Sequence, residues 1–134
     1  MFSKTMKWYG KKSSLLGTLV SLALALPSFG ATYYVATTGN NANTGQPSSP
    51  WRDIGYAAAR VAPGDTVRVQ AGTYEQRISI SIGGNSGNWV NFLAEGRVVC
   101  RGFDLIGVNF VRIIGFEITH TSLAYQRAIE IAHV

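Results

Sequence analysis

Arg68, Asn91, Arg112 and Glu130 each follow a strand-forming aliphatic residue: Val67, Val90, Val111 and Ile129. Successive side chains of an extended chain point to opposite faces, so if the four aliphatics stack inward, the four polar residues stack outward. Two guanidiniums, an amide and a carboxylate in one row could hold a carboxylated sugar chain, because guanidinium pairs bidentately with carboxylate. Ordinary solvated positions of alternating strands would give the same residues. Arg97 and Arg101 near Glu117 form a second patch, which a surface ion pair explains equally well. His120 and His133 are the only histidines. No Ser or Cys partner stands at an interpretable spacing from them, and two histidines alone do not make a metal site, so no metal site is read. Trp89 and Tyr125 could serve as platforms for sugar rings or pack at corners. Cys100, the single cysteine, reads as a buried thiol in an apolar strand.

These residues are carried by two kinds of element. Tyr33, Tyr34 and Val35 form a short extended segment, and Gly39 to Ser49 is a turn-rich loop. Ser49 then resembles a helix N-cap with Pro50 at the first helical position. Trp51, Ile54, Ala57, Ala58 and Val61 follow at helical spacing as one apolar stripe, with Asp53 as a first-turn charge. Pro63-Gly64 stops the helix, and Asp65 is placed to bond the turn backbone.

After Thr66 the period becomes two. The pairs Val67/Val69, Val90/Phe92, Val111/Ile113 and Ile129/Ile131 recur 23, 21 and 18 residues apart. A second series, Ile78/Ile80, Val98/Cys100 and Phe116/Ile118, recurs at 20 and 18 residues, and Phe103 and Leu105 open a third. Short strands repeating about every 20 residues with glycines between them predict the coils of a β-solenoid. An antiparallel sandwich is the competing architecture, but it would show more two-residue hairpin turns.

Composition narrows the classes. All four lysines lie at positions 4, 7, 11 and 12, ahead of an apolar run from Leu15 to Leu26 that Pro27 ends. Twelve apolar positions are short for a spanning helix. Ser28-Phe29-Gly30 supplies the small-x-small pattern of a cleavage site, so residues 1–30 read as a signal peptide cut before Ala31. The remainder has eight arginines against seven acids, a net +1 where the whole chain has +5. The high pI therefore belongs to the leader and gives no support for nucleic-acid binding. One cysteine excludes a disulfide framework within the chain. The expected location is secreted, periplasmic or at the cell surface, without a membrane span after cleavage.

The segments YYVATTGN, SPW entering a helix, APGDTVRVQAGTY and GNSGNWVNFLA resemble the N-terminal region of secreted right-handed parallel β-helix proteins of the pectate-lyase-like group, nearest to family 9 pectate lyases. The resemblance covers about residues 32–134. It implies an all-β, right-handed parallel β-helix of about four coils, divided into a cap (31–65) and coils (66–134). It also implies a lysine base and a Ca²⁺ cluster in a longer parent protein. Residues 31–134 contain no lysine, and Asp104, Glu117 and Glu130 are not grouped in sequence, so that chemistry is expected beyond Val134 and no cofactor is evident here. Two functions stay open. One is the N-terminal part of a polysaccharide lyase acting on an acidic glycan. The other is a non-catalytic β-helix that binds glycan or serves as an adhesin-like rod.

Overall fold

The computed structural model describes residues 29–119 and the strand at 129–132. The predicted leader, His120, Tyr125, Arg127 and His133 lie outside the described residues. Five strands, β1 (Thr32–Val35), β2 (Thr66–Ile80), β3 (Val90–Leu105), β4 (Val111–Ile118) and β5 (Ile129–Ala132), and one helix, α1 (Ile54–Ala58), make up the fold. The sheet order follows the chain, β1-β2-β3-β4-β5, and every pairing is parallel. An antiparallel sandwich is thereby excluded for the described strands.

The interior is built from stacked rungs. Val67, Phe92 and Ile113 share one rung, continued at the position of Ile131, and Val90 aligns with Val111 and Ile129. Val67, Phe92 and Val111 are fully buried and Ile113 nearly so. Gly72, Val98 and Phe116 align next, then Tyr74, Cys100 and Ile118, while Ile78 faces Phe103 and Ile80 faces Leu105. The first predicted series therefore holds from β3 to β5 but is two residues out between β2 and β3. The second is corrected as well, since Ile78 and Ile80 stack on Phe103 and Leu105 and not on Val98 and Cys100. The cause is irregular pairing: register shifts interrupt β2–β3 at Gln70/Gly72 and at Tyr74/Arg77, so linear spacing miscounts the rungs.

The long strands also turn on themselves. Phe92 and Phe103 are eleven residues apart, which would place them about 35 Å apart in a straight strand, yet their ring centroids are 6.5 Å apart. Phe103 meets Phe116 edge-on at 5.1 Å, so residues from separate stretches of the sheet share one core. The bends pass through Gly96 and Gly115, whose φ values of +87° and +81° suit glycine.

The cap differs from the expected helix. Ser49 is not its N-cap: its hydroxyl bonds Thr44 and its N–H donates to Gln46. Trp51 is extended and bridges Val35 in parallel, donating its N–H to the Tyr34 carbonyl and accepting from the Ala36 N–H. Those bonds cannot coexist with a helical Trp51, so α1 begins only after Asp53. The apolar stripe is nevertheless buried as predicted, from Trp51 through Ile54, Ala57 and Ala58 to Val61. Tyr33 stacks on Trp51 at 4.7 Å and Tyr56 meets it edge-on at 5.4 Å. Asp65 caps its turn, accepting the Ala62 N–H at 2.7 Å.

Candidate functional site

Alternation along β2, β3 and β4 places one polar row on the outward side of the first rungs. Thr32, Thr66, Asn91, Arg112 and Glu130 occupy equivalent positions on the five strands. Parallel strands about 4.8 Å apart make this a row about 19 Å long. Three of the four expected site residues, Asn91, Arg112 and Glu130, thus fall in register. Arg68 does not, because the β2–β3 offset puts it opposite Leu93, one outward position along the strand. Its guanidinium is also engaged, 2.7 Å from Glu95. Of Glu130 only the strand position is described.

The row is supported from one side by aromatic rings. Arg112 lays its guanidinium over Trp89, 4.5 Å from the ring centroid, and Phe110 meets Trp89 edge-on at 5.3 Å. Asn91 donates from Nδ2 to the Trp89 carbonyl at 3.1 Å and, more weakly, to the Thr66 hydroxyl at 3.4 Å. Trp89, Asn91 and Arg112 are each half-buried. A guanidinium pressed on an indole face keeps its in-plane donors directed sideways, where a carboxylate or hydroxyl can meet them. The stacking was not legible in the sequence, because it depends on how the turn before β3 delivers Trp89.

Elsewhere the surface arginines are matched by acids on the next strand. Arg77 grips Asp104 through two bonds of 2.6 and 2.5 Å, and Arg97 grips Glu117 at 2.9 and 3.0 Å. Arg101 reaches Glu75 at 3.5 Å. The hydrogen bonds from Arg77 and Arg97 hold the Asp104 and Glu117 carboxyls below the usual carboxylate range. The patch expected from Arg97, Arg101 and Glu117 is therefore an ion pair plus a separate contact to Glu75.

A shallow cleft of about 170 Å³ lies between the cap and β2, lined among others by Thr37, Arg52, Asp53, Tyr74, Glu75 and Gln76. Burial pushes the Tyr74 phenol up to about 12 against a backbone hydrogen bond at Thr37, and its hydroxyl donates to the Gln70 carbonyl at 2.9 Å. At neutral pH it is a donor and not a base. Cys100 is buried, and desolvation raises its thiol pKa, so it is a poor nucleophile.

Ca²⁺ wants six to eight oxygens, several from carboxylates. Among the described residues no group of three or more His, Cys, Asp or Glu could hold a metal ion. Glu75, Glu95, Asp104 and Glu117 face arginines, Asp53 accepts from Asn41, and Asp65 binds backbone N–H groups. This donor set does not fit Ca²⁺. Among the same residues no helix is long and apolar enough to cross a membrane.

Residues 37–83 match a family described as a protein of unknown function, DUF1565. An uncharacterized protein of Bacillus subtilis (strain 168), YwoF, is 30% identical over 95 residues, a match covering 64% of this chain and 20% of that protein. A solved rhamnogalacturonan lyase superposes with a TM-score of 0.53 at 19% identity, over 76% of this chain and 33% of the lyase. The chain thus spans about a fifth of the curated relative and a third of the solved structure, and what it shares with the latter is the fold: an all-β chain with a parallel sheet.

Proposed function

We propose that the chain is the N-terminal part of a secreted right-handed parallel β-helix protein that acts on an acidic polysaccharide, most nearly as a polysaccharide lyase. In this reading residues 31–65 form the cap, residues 66–134 form the first coils, and the bond-breaking groups belong to a longer protein. The observation that carries it is the in-register row Asn91–Arg112–Glu130, with Arg112 stacked on Trp89. The convergence of Phe92, Phe103 and Phe116 on one core supports the coiled architecture. The likeness to a protein named rhamnogalacturonan lyase supports the substrate class.

The row's contribution would be grip and alignment. Arg112 would pair with a uronate carboxylate, Asn91 would offer its amide to a hydroxyl, and Trp89 would present an apolar surface beside them. Eliminating across a uronate further requires a base near the C5 proton and positive charge at the adjacent carboxylate. Neither is assigned to a residue here. A second reading, a non-catalytic glycan-binding rod, is favoured by the cross-strand ion pairs, which cover the exposed faces with neutralised charge.

Affinity electrophoresis through polygalacturonate, alginate and neutral dextran tests the grip. The protein should be retarded by the acidic polymers and not by dextran, and Arg112→Gln should remove most of that retardation. Equal mobility of wild type and R112Q in polygalacturonate would refute the assignment. Release of unsaturated ends by the longer protein, followed by absorbance, separates the lyase reading from the rod.

A further inference from the structure

The Ala31 backbone nitrogen lies 2.7 Å from Asp65 Oδ1, and Asp65 is the one buried charged residue among those described, only 5% exposed. Its other oxygen is taken by the Ala62 N–H. The residue before Ala31 is crowded: a Cβ on Gly30 would stand 1.7 Å from the Gly64 carbonyl oxygen. Phe29, one step earlier, is 88% exposed. The cut expected from Ser28-Phe29-Gly30 falls at the bond whose nitrogen Asp65 already holds.

We propose that cleavage between Gly30 and Ala31 creates an α-ammonium that forms a buried ion pair with Asp65, so that removal of the leader locks the first strand onto the turn that starts β2. A signal-peptidase-type hydrolysis adds one water across the peptide bond. The C–N bond breaks, Gly30 leaves as a carboxylate, and the Ala31 nitrogen takes up protons to become –NH₃⁺. The neutral N–H···O contact to Asp65 then becomes a charge-assisted one between opposite charges. Cleavage also releases Phe29 and the crowding at Gly30. The Ala31 carbonyl keeps its bond from the Thr66 N–H at 2.9 Å, so the new terminus is held on both sides of the residue.

The charge environment is simple. On the turn 62–65 only Asp65 is charged, and Thr66 and Asn88, the neighbouring residues of β2 and of the turn before β3, are neutral. An ammonium facing Asp65 alone has its pKa raised above the ordinary α-amine value of about 7.7–8.0. For a raised amine the stabilisation is complete below the unfolded value, near pH 8, and is lost as pH rises through the folded one.

The test exploits the absence of lysine after Lys12. The full chain is expressed in a secreting host, and the exported protein is identified by intact mass and N-terminal sequencing. Its start should be Ala31. An amine-acylating reagent then has one target, the terminus, and acylation in buffer near pH 7.5 should be at least about tenfold slower than in guanidinium, the factor that one pKa unit gives. The pH profile of the native rate should have its midpoint at least about one unit above that of a free α-amine. A start elsewhere, an equal rate in both solvents, or slow labelling with an unshifted midpoint would each overturn the proposal. Asp65→Asn should bring the midpoint back to the ordinary value; should that variant fail to fold, the native and denatured rates of the wild type decide.

Discussion

Replacing Gly45 by alanine probes how the cap is fixed on the sheet. Gly45 has φ +76°, and a Cβ there would stand 2.8 Å from Cε2 of the Trp51 indole. The indole cannot retreat, since its Nε1 donates to the Asn43 carbonyl at 2.7 Å while Tyr33 stacks on one face and Tyr56 abuts it. The left-handed backbone costs a non-glycine residue about 1–2 kcal/mol, and overpacking adds about 1–3 kcal/mol, so Gly45→Ala should destabilise by about 2–5 kcal/mol. Gly87→Ala is the control: φ is +85°, but nothing lies within 4 Å of the added carbon, so only the backbone cost of about 1–2 kcal/mol applies. Urea unfolding followed by tryptophan fluorescence compares the two. With a slope of about 1–2 kcal/mol per molar, their midpoints should differ by about 1 M. Equal midpoints would refute the claim that a rigid Trp51 holds the cap.

Phe92→Ala should cost about 3–5 kcal/mol, because a fully buried ring that meets Phe103 is removed, and the melting temperature should fall by at least about 12 °C in calorimetry. Asp104 and Glu117 have lowered pKa values, so their contribution is present above the unfolded carboxylate range, near pH 4, and is lost as pH falls through the lower folded values. Thermal melts should therefore drop below about pH 4, and Arg77→Gln with Arg97→Gln should flatten that limb. Cys100 should resist a thiol reagent in buffer and react stoichiometrically once the protein is unfolded; rapid native labelling would show that the core is open at that rung.

Much of the architecture was legible wherever the strands pair without interruption. The 21- and 18-residue spacings from Val90 to Val111 to Ile129 give the true register. The step from Val67 failed because bulges in β2–β3 add residues that a count along the chain cannot locate. Arg68 left the candidate row for that reason. The helix start failed differently: Ser49-Pro50 is a sound local signal, but Trp51 satisfies the edge of β1, and tertiary pairing overrode local preference. The Arg77–Asp104 and Arg97–Glu117 pairs required the register before they could be seen. The cleft between the cap and β2 draws on residues from 37 to 78 and has no contiguous signature.

The loop that carries Gly45 and Trp51 gives the sheet a direction. Gly45 and Trp51 occupy the outer hydrogen-bonding groups of Tyr34 and Ala36, so the first strand offers those groups to no visitor. Lengthening is possible on one side only, as in a polymer with one terminus blocked. Whether the added strand comes from further polypeptide or from a foreign chain, it must enter at the flank remote from the tryptophan, and a screen for misassembly need watch only there.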